Sequence, residues 1–332
     1  MKISQQSLFK PFRKIANMGG GQAVILLYHR VIDLKPDPQE LCVSPQHFRE
    51  QLLFLKENYY LISAEEFADH LKNKRRFRPK SVLITFDDGY FDNFLYALPL
   101  LEESEAQAVF YITTSKLNTD EELWWDDLER IFIDRRSKPA ALTLHVDGAK
   151  RRYDVRAESV LWKLYYELQN ELRFSSPDKI DNVVDQLRKW SATPQKGRPS
   201  HRMLSYEELK KMAGSSSAVI GCHTHRHPAL GMLPAGQQHQ EIQQSKEILE
   251  DLLGKTISHF SYPFGARKFL GDKRYYNHDT IRIARELNFD MVCANYFGQV
   301  HRRSNRYVLP RMPVRDWGVD VFKEKMKEFF KG

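Results

Sequence analysis

Short apolar segments of strand length alternate with amphipathic segments along most of this chain, and this alternation restricts the possible folds more than any other feature. Apolar residues at helical spacing predict helices such as Pro45–Asn58 and Asp279–Leu287. The segments predicted as strands are Ala23–Tyr28, Ser81–Phe86, Ala108–Thr113, Ala218–Cys222, Ser258–Tyr262 and Met291–Ala294. Strands that are apolar on both faces and joined by helices form a parallel sheet. The pattern fits both a barrel and an open sheet.

The middle of the chain departs from this alternation. It contains helical patterns and an Asp-Gly pair typical of a hairpin turn. We interpret it as a mainly helical insertion in an α/β domain. The predicted elements are helices Leu161–Leu172 and Lys179–Trp190 and strands Leu142–Val146 and Tyr153–Val155 around Asp147-Gly148. The predicted division is an N-terminal segment 1–21, a barrel made of 22–117 and 205–315, an insertion 118–204 and a C-terminal helix in 316–332.

Sequence signals also mark several helix ends. Ser63 with Glu66, and Ser205 with Glu208, have the spacing of a capping box at a helix start. The helix across Gln238–Leu253 is predicted to end at Gly254, because glycine readily adopts the left-handed conformation of a helix C-terminus.

Composition and charge exclude several classes of protein. The 332 residues are 42% hydrophobic and 28% charged, which is typical of a globular chain and not of a disordered one. The formal net charge of +8 favours anionic partners, but the basic residues are spread out and form no nucleic-acid-binding motif, so we expect no nucleic acid partner. The three cysteines are far apart and predict neither a disulfide framework nor a cysteine zinc site.

The start of the chain has no apolar core of a secretory signal, and no apolar run is long enough for a transmembrane helix. We therefore expect a cytoplasmic protein with possible peripheral contact at the inner face of the membrane. Leu8, Phe12 and Ile15 recur at helical spacing beside basic residues, which fits an interfacial helix or a helix docked on the body.

Two adjacent carboxylates, Asp87 and Asp88, end the second apolar strand and precede Gly89. Ligands of parallel α/β sheets gather at the carboxyl ends of strands. Adjacent side chains diverge, so one carboxylate can bind a metal while its neighbour stays free. The alternative is that the pair caps a helix.

Three histidines, His223, His225 and His227, directly follow the fourth predicted strand, and Pro228 indicates a loop. The first and last can converge on one cation, and a carboxylate would complete three protein ligands with an open position, as in catalytic metal sites. A structural role is the alternative for each histidine. The loop after Ser258–Tyr262, Pro263-Phe264-Gly265, could aim a backbone N–H at an oxyanion or be a plain turn.

These three motifs, in this order, resemble those of the polysaccharide deacetylases, carbohydrate esterase family four, over about 22–117 and 205–314. The resemblance implies a distorted (β/α) barrel of about seven parallel strands and metal-dependent removal of N-acetyl groups from amino sugars. By position it implies that Asp88, His223 and His227 bind the metal and that Asp87 is the general base. The N–H of Phe264 would contribute to the oxyanion hole, and His225 occupies a variable position.

The chain departs from the family pattern at two positions. Ser261 stands where the family often has an arginine that orients the catalytic aspartate. We predict that Arg311 takes this role, with a surface ion pair or a substrate contact as the alternative. The C-terminal Leu-x-His motif of the general acid is not evident. Exopolysaccharide deacetylases with a Tyr-His pair near the N-terminus indicate His29 as the general acid instead, with a structural histidine as the alternative.

The sequence thus predicts a deacetylase of an N-acetylated amino sugar in surface polysaccharide or glycoconjugate synthesis. Its substrate would be an oligosaccharide or a nucleotide- or lipid-linked sugar, and its divalent metal most simply Zn²⁺, although cobalt, nickel and iron are compatible. The alternatives are hydrolysis of an N-formyl or cyclic amide at the same site and non-catalytic carbohydrate binding. The predicted sugar contacts are Tyr90, Trp124, Trp125 and Tyr262. For the first three, packing of the insertion onto the barrel is an equal alternative.

Overall fold

The computed structural model describes residues 21–133, 139–266 and 273–331. Its strands are β1 (Gln22–Tyr28), β2 (Arg30–Val31), β3 (Cys42–Val43), β4 (Tyr60–Leu61), β5 (Ser81–Phe86), β6 (Ala108–Ile112), β7 (Ala141–Val146), β8 (Ala149–Asp154), β9 (Ala218–Cys222), β10 (His259–Ser261), β11 (Met291–Cys293), β12 (Val300–His301) and β13 (Met312–Pro313). Its α-helices are α1 (Pro45–Asn58), α2 (Ala64–Lys72), α3 (Leu98–Glu103), α4 (Trp124–Phe132), α5 (Glu158–Leu172), α6 (Pro177–Ser191), α7 (Tyr206–Gly214), α8 (Ala235–Leu253), α9 (His278–Glu286) and α10 (Val319–Lys331).

The apolar strands form one parallel sheet in the order β11-β10-β9-β6-β5-β1. The β1–β5 pairing runs in register from Ala23 opposite Ser81 to Tyr28 opposite Phe86. Every strand of this series is almost wholly buried, which explains its unbroken apolar sequence. The predicted alternation of strands and helices is confirmed.

The segment around β13 connects the two ends of this sheet. Leu309 forms a parallel bridge with Cys293 at the end of β11, and Met312 pairs in parallel with Leu26 of β1. Seven parallel strands therefore curve round into a distorted α/β barrel, as the family resemblance implies. All their carboxyl ends point to the same side of the barrel.

The central helices and the β7–β8 hairpin pack around a hydrophobic cluster separate from those of the barrel. Asp147 and Gly148 form the predicted turn, both with positive φ (52° and 76°). The second strand is Ala149–Asp154 and not the predicted Tyr153–Val155, because a two-residue turn pairs the flanking residues at once. Tyr90, Met203 and Phe264 extend this cluster to the barrel.

Helix α10 lies within the predicted C-terminal segment. The N-terminal residues 1–20, with the interfacial or docked helix predicted there, lie outside the described residues. The domain boundaries stay a prediction. None of the described helices combines the length and apolar character that crossing a bilayer requires.

Candidate metal centre and catalytic site

The three motif loops meet at the carboxyl end of the barrel. Asp87 and Asp88 follow β5, His223 and His227 follow β9, and Phe264 follows β10. All five residues line a cavity of about 250 Å³. Residues separated by up to 177 positions in the sequence therefore face one small space.

Asp88, His223 and His227 form the group predicted to bind a metal. One ligand-type atom from each lies within 4.8 Å of the others. Asp88 Oδ1 is 3.6 Å from His223 Nε2 and 3.4 Å from His227 Nε2. Two imidazole nitrogens and one carboxylate oxygen are a donor set suited to Zn²⁺ and similar divalent ions.

The surroundings of the two histidines suit them for this role. His223 Nδ1 donates a hydrogen bond of 2.8 Å to the Ser261 carbonyl, which leaves Nε2 facing Asp88. Burial lowers the pKa of His223 and lowers that of His227 well below its usual value, so both rings are neutral at neutral pH. Neutral imidazole is the form that binds metals. The ring of His225 instead hydrogen bonds to Thr114 Oγ1 at 3.0 Å.

The backbone at the site adopts left-handed conformations that are rare for residues other than glycine. Asp88, Thr224, His227 and Phe264 have φ between 57° and 77°. Left-handed conformations cost roughly 1–2 kcal/mol for ordinary L-residues. Their concentration at one cavity is typical of a functional site, where surrounding structure enforces the geometry.

Arg311 holds Asp87 through a bidentate contact. Its Nη1 donates to Asp87 Oδ1 at 2.7 Å and its Nη2 to Oδ2 at 2.6 Å. The fully buried guanidinium is fixed further by Ser261 Oγ and the Ala294 carbonyl. Burial opposes ionisation of Asp87, but the charge and the hydrogen bonds of Arg311 bring its pKa down to about 2. The predicted contact of Arg311 with Asp87 is present, and Ser261 accepts a further hydrogen bond from the same guanidinium.

His29 directly follows β1 and lines the same cavity. Its carbonyl accepts a hydrogen bond from Asn93, and the adjacent Arg30 is paired with Asp92 at 2.9 Å, so the loop is held firmly. Burial lowers the pKa of His29 to about 3. The charge of Asp87 opposes this shift, and the charges of Arg315 and Arg311 add to it. The ring is therefore neutral at neutral pH in this state.

The N–H of Phe264 has no hydrogen-bond partner within the described parts of the chain. The positive φ of 59° at Phe264 sets the direction of this group, and the next residue, Gly265, is also left-handed. The Phe264 ring packs edge-on against His227, with centroids 4.7 Å apart. The loop thus offers an available backbone donor beside the metal group.

Of the four aromatic residues predicted to contact sugar, Trp125 lines the cavity. Its ring is 4.8 Å from that of His227, and its Nε1 donates to the Tyr90 hydroxyl. The stacking role predicted for Tyr90 and Tyr262 is wrong for this structure because both are fully buried, bonded to Asp126 and to the Tyr307 carbonyl. Trp124 is 8% exposed and packs against Trp125 within the insertion cluster, so it is not a sugar contact here either.

Several cavity residues were not foreseen from the sequence. They are Gln39, Leu41, Arg173, Ala266, Tyr275, Asn295, Pro313 and Arg315. Arg315 lies two residues after β13, and Asn295 lies two residues after β11. Their positions near strand ends could have indicated both residues from the sequence. Arg173, at the end of α5 in the insertion, had no such signal.

A second buried group, Asp126, Glu129 and His201, also brings metal-binding side chains within 4.8 Å of one another. Its acids already have partners, since Tyr90 donates to Asp126 and Arg198 pairs with Glu129 at 2.9 Å. Burial raises the pKa of Asp126 well above its usual value. We interpret this group as a structural network that joins the insertion to the barrel.

Comparison with known proteins agrees with the site. The family model described as "Polysaccharide deacetylase" matches residues 74–135 and 180–292, more than half of the chain. The chain belongs to the polysaccharide deacetylase family. Members are carbohydrate esterases that act on N-acetyl amide bonds, generally with a metal, and this deacetylase is accordingly a hydrolase.

Curated relatives carry the same family name. YxkH of Bacillus subtilis strain 168, named as a polysaccharide deacetylase, is 21% identical over 87% of this chain and 70% of its own length. The poly-beta-1,6-N-acetyl-D-glucosamine N-deacetylase of Escherichia coli K12 is 27% identical over 44% of this chain and 21% of its own length.

Solved structures show the same fold. The Streptococcus pyogenes deacetylase PplD, in complex with acetate, is 20% identical with a TM-score of 0.59, covering 92% of this deacetylase and 99% of PplD. IcaB from Ammonifex degensii is 18% identical with a TM-score of 0.59, covering 93% and 97% of the two chains. At these identities the likeness concerns the fold.

Proposed function

We propose that this polysaccharide deacetylase removes N-acetyl groups from an amino sugar of a surface polysaccharide or glycoconjugate, using a divalent metal, most simply Zn²⁺. The observation that carries the proposal is the arrangement of Asp88, His223 and His227 beside an Asp87 held by Arg311. The E. coli relative, named for a poly-N-acetylglucosamine substrate, supports this substrate class.

The residues fit a metal. His227 Nδ1 is buried without a hydrogen-bond partner among the described residues. The Nε2 atoms of His223 and His227 both approach Asp88 Oδ1, and two neutral imidazoles with a carboxylate suit Zn²⁺. Without a metal, burial and then the neighbouring charge of Asp87 raise the pKa of Asp88 well above its usual value. A divalent ion held there would lower the pKa of a bound water to about 7.

The protein's own groups supply the remaining chemistry. Arg311 fixes both oxygens of Asp87 so that the carboxylate can accept a proton from the attacking water. The Phe264 N–H donates to the acetamide oxygen as negative charge develops on it, a contribution of about 3–4 kcal/mol for one good donor. His29 gives a proton to the leaving nitrogen. Because a pKa of about 3 leaves His29 neutral at rest, the proton that it passes to the nitrogen is the one that Asp87 takes from the water.

The test is acetate release from N-acetylglucosamine oligomers. Asp87→Asn should reduce kcat by at least 100-fold, since the amide cannot accept the proton. Because the substitution also leaves the buried charge of Arg311 without its carboxylate, activity is compared on protein that circular dichroism shows to be folded. Asp251→Asn, an exposed aspartate of α8, is the matched control and should keep wild-type activity. Wild-type activity of Asp87→Asn would contradict the base assignment.

His29→Ala should likewise lower kcat far more than it raises KM, with the exposed His145→Ala as control. An unchanged kcat would remove His29 from the reaction. Release of formate from an N-formyl sugar, but no acetate from any N-acetyl sugar, would instead favour the alternative amide substrate. The cytoplasmic location and peripheral membrane contact stay predictions from the sequence.

A further inference from the structure

Two arginines border the catalytic cavity. Arg173, which follows α5 in the insertion, and Arg315, which follows β13, line it together with Asp87 and Asp88. Asp87 is already neutralised by Arg311, and Asp88 belongs to the proposed metal group. Arg315 pairs at 3.2 Å with Glu40, whose side chain is 75% exposed. Within 21–133, 139–266 and 273–331, no carboxylate pairs with Arg173.

The Arg173 side chain is nevertheless held in position. Its Nη2 donates to Gln169 Oε1 at 3.1 Å, and the Gln169 amide in turn donates to Gln39. Its guanidinium lies 5.6 Å from the centre of the Phe264 ring, next to the proposed oxyanion donor. Its Nε is buried and has no acceptor among the described residues. Its Nη1 likewise makes no hydrogen bond within the described parts of the chain, so this end of the guanidinium can donate to a ligand in the cavity.

We propose that Arg173 binds an anionic group, a carboxylate or a phosphate, on the sugar unit whose N-acetyl group is hydrolysed. This inference rests on the proposed function and narrows its substrate class. The planar guanidinium matches the oxygens of either anion. The chemistry favours the same conclusion, because hydrolysis leaves an amine that protonates beside Arg173. A neighbouring anion on the same unit offsets that repulsion.

The size of the cavity limits where the anion sits. Arg173 lines the same cavity of about 250 Å³ as Asp87 and Phe264, and this volume is on the scale of one sugar unit with its substituents. The anion is therefore on the reacting sugar or on the linkage next to it, and not several units away along a polymer.

The test measures binding directly, so that it does not depend on turnover. Zinc-loaded full-length protein is titrated calorimetrically with N-acetylglucosamine, its 6-phosphate and N-acetylmuramic acid. We expect one of the two anionic sugars to bind about tenfold or more tightly than the neutral one, the range of a charge-assisted hydrogen bond. The anionic sugar that binds more tightly shows whether the site prefers a phosphate or a carboxylate.

Three variants assign the preference. Arg173→Gln should reduce the ratio of anionic to neutral affinity to near one, and Arg173→Lys should retain part of it by keeping the charge. Arg156→Gln, an arginine of the same insertion that is 74% exposed, should keep the full ratio.

The inference is overturned if the wild-type protein binds all three sugars equally. It is also overturned if Arg173→Gln keeps the preference, which would happen if the anion binds the zinc itself. The same holds if Arg173→Gln weakens the binding of all three sugars by the same factor. A preference that depends on Arg173, without acetate release from any N-acetylated sugar, would support the anion site at Arg173 and contradict the proposed function.

Discussion

At the scale of single residues, the site works by pairing charges that would be costly to bury alone. Arg311 is fully buried and donates to both oxygens of Asp87, to Ser261 and to the Ala294 carbonyl. Removing one partner of such a pair leaves an uncompensated buried charge. Arg311 therefore determines both the position and the ionisation of Asp87.

Arg311→Lys should lower kcat by about 100-fold, because an ammonium group keeps the charge but cannot fix both carboxylate oxygens. Weaker stabilisation of the carboxylate raises the pKa of Asp87 from about 2, so the acidic limb of the kcat/KM profile should move to higher pH. The pH profile checks this, with the exposed Arg282→Lys of α9 as control. An unmoved acidic limb would contradict the positioning role.

How far single residues could be predicted depended on whether their neighbours in sequence were also their neighbours in space. Asp88, His223 and His227 sit in short motifs at strand ends, so their grouping was predictable. Arg173 reaches the cavity through the packing of the insertion, which no local pattern records. Tyr262 was misassigned because it faces away from the cavity, stacked on Tyr276 with centroids 4.7 Å apart.

At the scale of elements, the loop after β10 shows how backbone geometry serves the site. Gly265 has a φ of 52°, and a Cβ there would lie 2.6 Å from Asn295 N and 3.1 Å from the Tyr262 carbonyl oxygen. The loop therefore has no room for a side chain without moving Phe264.

Gly265→Ala should reduce kcat at least tenfold, because moving the Phe264 N–H weakens an oxyanion donor whose removal costs about 100-fold or more. Gly148→Ala is the matched control: its φ is 76°, but a Cβ there would meet no atom of the described residues within 4 Å. The control should lose about 1 kcal/mol of stability and no activity. Equal kcat for Gly265→Ala and wild type would exclude Phe264 from oxyanion binding.

The start of α7 carries the predicted capping box. Ser205 Oγ accepts from Glu208 N, and Glu208 accepts from Ser205 N at 2.9 Å and from Arg202. At Ser63 only the serine half forms, since the Ser63 hydroxyl accepts from Glu66 N while the Glu66 carboxylate accepts from Tyr60. The sequence spacing thus predicts the serine contact better than the reciprocal one.

Glu208→Gln should destabilise the protein by about 1 kcal/mol at pH 7. Burial opposes ionisation, but Arg202 and the Ser205 N–H lower the pKa of Glu208 to about 2, below the unfolded value of about 4.3. The wild-type advantage is therefore full above about pH 5 and is lost as pH falls toward 2. Denaturant unfolding at several pH values measures it, with the exposed Glu207→Gln as control; an advantage that grows toward low pH would contradict the account.

At the scale of the whole molecule, the barrel brings distant motifs together by closing on itself. The strand periodicity was predictable, but it left barrel and open sheet undecided. Closure depends on Leu309 and on the two-residue β13, which are too short and too close to prolines to be recognised as strand. The same segment carries Arg311, so closing the barrel also delivers the partner of Asp87.

The most direct test of the central claim combines metal binding and turnover on one preparation. Metal-stripped protein should release no acetate from N-acetylglucosamine oligomers, bind one Zn²⁺ per chain, and regain activity on binding it. His223→Ala should lose both properties, whereas His145→Ala should keep them. Undiminished acetate release by the stripped protein, or tight zinc binding by His223→Ala, would contradict the assignment of Asp88, His223 and His227 as the metal centre.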